Sequence, residues 1–229
     1  MSLIHYILSF ENDSTLRFEI NTERQPELQT LEQPAQWIQL ETHRCPNCPL
    51  KISADRACPA ALDIADIVSK FSHVDSHRQV KVEVHMHGRV HSRQTDVQTT
   101  LHSLMGLILA TSACPILSRM KGPARLHMPF ATMDETVFRM VGAYFLGKYR
   151  QSQQGLQVEW SLHELMTLYE SVQVVNQHLK KRLDMVACKD ANQNAVVSLM
   201  SMAMLVSFSL DDNLQELSPF ALGGYGACD

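Results

Sequence analysis

The spacing of apolar residues changes along the chain, and this change constrains the fold more than any other feature. In residues 4–10, 16–20 and 80–86 apolar side chains occupy every second position, the repeat of a strand with one buried face. In the last hundred residues they recur every three or four positions. Val137, Met140, Val141, Tyr144 and Phe145 form one stripe; Leu162, Leu165, Tyr169, Val172, Leu179 and Leu183 form another, which Asn176 interrupts. Strands early and helices late predict an α+β fold, with a small antiparallel sheet built from hairpins and packed on one face by a mainly helical C-terminal layer.

Turn and cap residues place the elements. Glu11-Asn12-Asp13-Ser14 joins the first two strands, and His87-Gly88 reverses the strand ending at Met86 into residues 89–92. Residues 37–41 have the composition of a third strand, and Pro26 and Pro34 exclude a regular helix before it. Pro59 suits a first helical position, and Leu62, Ile64, Ile67, Val68 and Phe71 give residues 59–71 an apolar helical face. A helix from Asp96 stops near Thr111-Ser112, and a short one led by Pro115 follows. Thr132 with Glu135, Ser161 with Glu164, and Asp190 with Gln193 carry the capping-box spacing of three further helix starts. Glu135 and Arg139 have the spacing of a surface ion pair. Residues 1–210 read as a single domain, strand-rich over 1–95 and helical over 96–210, with the glycine-rich residues 211–229 as a flexible tail.

Composition excludes several functions. A formal charge of −4 and a pI near 6.2 offer no general attraction to nucleic acid. No basic region precedes the first apolar residues, so a secretion signal is not expected. The longest apolar stretch, residues 195–208, is broken by Ser198, Ser201 and Ser207 and falls short of the ~20 residues of a membrane span, so it reads as a buried helix. Six cysteines without an export signal point to the cytoplasm, where clustered thiols bind metal or do redox work.

The cysteines carry the chemistry. Cys45, Cys48, Cys58 and Cys114 are each followed by proline, and chance does not produce four such pairs from nine prolines in 229 residues. Proline holds the preceding residue extended, which sets these cysteines at turns or helix starts. Cys58 and Cys114 are expected as N-caps, where free N–H groups lower a thiol's pKa. The spacing C-x2-C-x9-C, with His43 upstream and Cys114 from afar, supplies enough ligands for zinc or an iron–sulfur cluster. Pro49 removes a backbone donor that a zinc knuckle normally turns toward sulfur. Cys45-Pro46-Asn47-Cys48 also resembles the glutaredoxin active-site tetrapeptide, but no βαβ unit surrounds it.

Other candidates carry less. His85, His87 and His91 crowd one hairpin, but pairing places His91 opposite Val84 on the apolar face and His85 on the other, so they do not converge. His127 follows the Cys114 helix in a loop, where it completes a site or hydrogen-bonds within the fold. Met200, Met202 and Met204 read as core filling, because alternate positions on a helix do not face one way.

The segments Cys45-Pro46-Asn47-Cys48-Pro49-Leu50, Cys58-Pro59-Ala60, Leu104-Met105-Gly106-Leu107, Ala110-Thr111-Ser112-Ala113-Cys114-Pro115 and Pro129-Phe130-Ala131-Thr132 resemble an uncharacterised bacterial family known only as a domain of unknown function. The resemblance spans about residues 1–200 and implies no activity. Three readings remain open: a metal- or cluster-binding protein using Cys45, Cys48, Cys58 and Cys114; a non-catalytic adaptor that buries these thiols and holds a protein partner; and a thiol–disulfide oxidoreductase.

Overall fold

Two hairpins supply the sheet of the computed structural model, which describes residues 3–25, 27–28, 31, 33–52, 57–186, 189–212 and 214. β1 (Leu3–Ser9) turns into β2 (Thr15–Asn21), and β3 (Gln79–Met86) into β4 (Arg89–Asp96). β1 also pairs antiparallel with β3, giving the order β2-β1-β3-β4. The reversal at His87-Gly88 has positive φ at both residues, 49° and 72°, the twist that a two-residue hairpin requires.

Alternation sends Ile4, Tyr6, Leu8, Phe18, Ile20, Val80, Val82 and Val84 to one buried face. The helices cover that face, so the α+β architecture with a helical C-terminal layer is confirmed. α1 (Pro59–Asp63) and α2 (Ala65–Phe71) lie between the hairpins in sequence. α3 (Val97–Ala110) follows β4, and the Asp96 carboxylate caps it by accepting from the Thr99 N–H at 2.8 Å. α4 (Lys121–Ala124), α5 (Met133–Gln153), α6 (His163–Leu183) and α7 (Ala191–Asp211) complete the layer, with α7 packed against both α3 and α6. Buried residues of the sheet and of these helices form one continuous core.

Several local expectations are corrected. Residues 37–41 are not a strand: Gln36–Ile38 forms a 3-10 turn, and Gln39 makes only an isolated bridge to Ala57. The carbonyls that a neighbouring strand would have paired are taken by Arg182 and by the Cys58 N–H. The helix expected over 59–71 is two helices, because Ile64 leaves helical geometry at ψ 2°. Pro115 leads a short 3-10 segment, Leu117–Met120. His91 does face Val84 across the β3–β4 pair, but β4 is exposed there, not apolar and covered.

Of the three capping boxes only Thr132–Glu135 forms, with both reciprocal hydrogen bonds. Glu164 pairs with Lys148 at 2.6 Å instead of capping α6. The Asp190 carboxylate accepts from the Ser76 N–H and hydroxyl, both at 2.9 Å, and ties the turn before β3 to the start of α7. Glu135 and Arg139 form no ion pair among the described residues, since the cap engages Glu135 and Arg139 turns inward. α7 is long and apolar enough, by length and composition, to cross a membrane; it buries one face in the core and leaves Val197, Met204, Leu205 and Phe208 exposed. The tail expected at 211–229 lies almost wholly outside the described residues.

Two outcomes follow from these caps. Thr132→Ala is expected to lower unfolding free energy by about 1 kcal/mol, measured by chemical denaturation. The Ser76 N–H and hydroxyl hold Asp190 below the usual carboxylate range. A depressed carboxylate stabilises the fold above its unfolded-state value and loses that contribution as pH falls through its folded-state value. The stability gap between the native chain and Asp190→Asn should therefore be full at pH ~6 and shrink below pH ~4, checked by melts across that range.

Candidate thiol centre

The Cys45–Cys48 loop has no regular structure, and hydrogen bonds from its own and adjoining side chains hold it. The Cys48 N–H donates to the Cys45 carbonyl at 3.0 Å, closing a tight turn over Pro46 and Asn47. Arg44 donates to the carbonyls of Cys48 and Leu50, and Asn47 Nδ2 donates to the Ser171 carbonyl on α6. Arg182, 1% exposed near the end of α6, donates to three carbonyls: Trp37 and Gln39 at 2.7 Å and Leu40 at 3.1 Å. No carboxylate forms an ion pair with it among the described residues.

Cys58 occupies the helix start that the sequence suggests, whereas Cys114 does not, because the 3-10 segment Leu117–Met120 after it is capped by Ile116. Cys58 is the N-cap of α1 in the extended conformation that Pro59 demands, and its N–H donates to the Ile38 carbonyl at 2.7 Å. Cys114 lies just past α3, where Ser112 Oγ accepts from its N–H and its own thiol accepts from the N–H groups of Ile116 and Leu117. Because α1 contacts α3, the 3-10 turn at Gln36–Ile38 and α6, these segments meet in one region.

The four thiols share that region. Cys45 is influenced by Cys58, Cys114 and Cys48 and by the Arg182 cation, and Cys114 by Cys58 and Cys48. All four are free, with no disulfide among them. Burial, followed by repulsion from the other thiolates, pushes Cys45 up to about 12, against the pull of Arg182. Burial also raises Cys114 despite its two N–H donors, so the expected lowering does not occur. As they stand, no three His, Cys, Asp or Glu side chains among the described residues are disposed to hold a metal ion. His43 is not among the groups acting on Cys45 or Cys114; its carbonyl accepts from His178 at 3.0 Å.

The remaining histidines and methionines lie elsewhere. His127 Nε2 bonds the Tyr6 hydroxyl at 2.6 Å, and that hydroxyl bonds Ser103 Oγ at 2.7 Å beneath the sheet. His127 thus hydrogen-bonds within the fold. Among the methionines of α7, Met204 is exposed whereas Met202 packs against the core. Cys188 and Cys228 fall outside the described residues.

Arg182 is the residue that sequence reading missed. The signal was present: it sits three positions after Leu179 and next to Leu183, inside the apolar stripe of α6. Within the run Lys180-Lys181-Arg182 it looks like the cationic end of a surface helix, and only the tertiary contact shows otherwise.

No curated protein and no solved structure matches the chain. The family model described as Domain of unknown function (DUF6901) matches residues 4–220, and the chain belongs to this family.

Proposed function

We propose that Cys45, Cys48, Cys58 and Cys114 form a soft-metal centre that holds an iron–sulfur cluster or zinc in the reducing cytoplasm. One observation carries this reading: four Cys-Pro thiols from three separate segments share one electrostatic neighbourhood with a buried arginine that has no carboxylate partner among the described residues. Thiolates are the ligands that such metals select. The repulsion from neighbouring thiols that opposes ionisation of Cys45 and Cys114 is relieved when a cation binds.

The surroundings support the same reading. Four thiolates around a divalent ion carry net negative charge, and Arg182 is placed to offset it. The N–H groups of Ile116 and Leu117 already point at Cys114 sulfur, the second-layer donation that metal-bound thiolates accept. The sulfurs do not converge as they stand, so binding requires the Cys45–Cys48 loop to move toward Cys58 and Cys114. Thiol–disulfide exchange has weaker support, because a nucleophile needs a depressed pKa and that of Cys45 is raised to about 12. An adaptor role with purely structural cysteines remains the competing class, and the metal content separates it.

Protein purified without oxygen should contain stoichiometric iron with visible absorption, or one zinc per chain without it. Cys45→Ser should lose most of that metal, and acidification should release it because the ligands must be deprotonated. If every preparation is metal-free and Cys45→Ser melts like the native chain, the metal reading fails and the adaptor reading stands. Arg182→Met leaves three buried carbonyls without a donor; it is expected to destabilise the chain by about 3 kcal/mol and to reduce metal occupancy.

A further inference from the structure

A cavity of about 160 Å³ lies where α3, α5, α6 and α7 meet, apart from the four cysteines. Its walls are mainly apolar, with Leu107, Leu109, Met140, Val172, Leu199 and Met202 among them. Polar side chains also line it, among them His102 of α3, Arg139 of α5, and Tyr169 and Asn176 of α6. The Nδ1 of His102 and the Nε of Arg139 are buried without a hydrogen-bond partner. The Tyr169 hydroxyl and the Asn176 amide, on residues each 3% exposed, make no hydrogen bond to a described residue. Native proteins leave few buried groups unpaired, so the His102 and Arg139 nitrogens at one cavity, with the Tyr169 hydroxyl and the Asn176 amide beside them, call for a ligand that pairs them. Asn176 is the residue that breaks the apolar stripe of α6, and the cavity accounts for its place there.

The charge around the cavity selects the ligand. Among the described residues no Asp or Glu lines it. His127, also in the wall, is committed to Tyr6 and is held neutral at ordinary pH, its pKa pushed down to about 3 by burial and by the Arg139 cation. Arg139 is therefore the one cation among the described residues of the wall. Among the described residues its Nη1 donates to the Leu126 carbonyl at 3.3 Å, and the acid that acts on it, Glu135, is engaged by the Thr132 N–H at 2.7 Å. One guanidinium matches one monoanion; a dianion such as phosphate would enter apolar walls with half its charge uncompensated. An apolar cavity of about 150 Å³ accommodates a benzene ring, which sets the size of the ligand's body.

We propose that this cavity binds a small amphipathic carboxylate, its carboxylate on Arg139 and Tyr169 and its aromatic or branched apolar body between Met140, Val172, Leu199 and Met202. The head group explains the unpaired donors of Arg139 and Tyr169, and the body explains the apolar walls. His102 and Asn176 are left to read polar substituents on the body.

Benzoate, benzyl alcohol and inorganic phosphate are suitable probes, followed by the methyl resonances of Met140 and Met202 in the full chain. Benzoate should give saturable shifts at both methyl groups, and benzyl alcohol should bind at least about tenfold more weakly. Arg139→Gln should weaken benzoate by at least about tenfold and leave benzyl alcohol nearly unchanged. Tyr169→Phe, which removes a single hydroxyl, should weaken benzoate by about fivefold and provides the result if Arg139→Gln does not fold. Equal binding of benzoate and benzyl alcohol, displacement of benzoate by an equal concentration of phosphate, unchanged affinity in both variants, or no saturable shift would each overturn the proposal. None of these readouts depends on whether the cysteines hold metal.

Discussion

The Arg182 guanidinium is the interaction on which the irregular part of the chain depends. Removing an arginine from water costs several kcal/mol, and three charge-assisted hydrogen bonds of about 1.5–3 kcal/mol each offset that. Its acceptors are the carbonyls of Trp37, Gln39 and Leu40, in a segment with no strand neighbour beyond one bridge. The arginine thus replaces a missing strand as donor to this segment. In doing so it fixes residues 37–40 to α6, and the Cys45–Cys48 loop and Cys58 are built onto them.

The same burial governs the thiols. At a helix start the N–H groups and the helix dipole favour thiolate by a fraction of a kcal/mol to about 2 kcal/mol. Desolvation of a buried charge exceeds that, and Cys114 accordingly titrates high even with two donors at its sulfur. Cys45 adds repulsion from three neighbouring thiols. Burial thus disfavours the thiolates of Cys45 and Cys114, even with the Arg182 cation acting on Cys45.

Much of the architecture is legible in the sequence because it rests on local periods. The alternation in β1, β2 and β3 and the His87-Gly88 reversal produce the two hairpins, and the 3.6-residue stripes produce α5 and α6. Failures occur where a distant residue competes for a local group. Residues 37–41 have strand composition but lose their carbonyls to Arg182; Asp190 has the spacing of a capping box but gives its carboxylate to Ser76; Glu164 gives its own to Lys148. For the candidate site, the four cysteines are conspicuous from their prolines, whereas the role of Arg182 is hidden in a basic run. The cavity left only one trace, the asparagine at 176 in an apolar stripe.

Sequence alone determined the secondary-structure periods, the turn conformations and the extended backbone of Cys58 before Pro59, because those are set by residues within a few positions of one another. Tertiary structure decided which groups from distant segments meet: Cys114 with the 45–48 loop and Cys58, Arg182 with three backbone carbonyls, and Arg139 with Tyr169 at the cavity. Those meetings depend on how helices pack across the sheet, and packing is chosen by the whole core, not by any one segment's pattern.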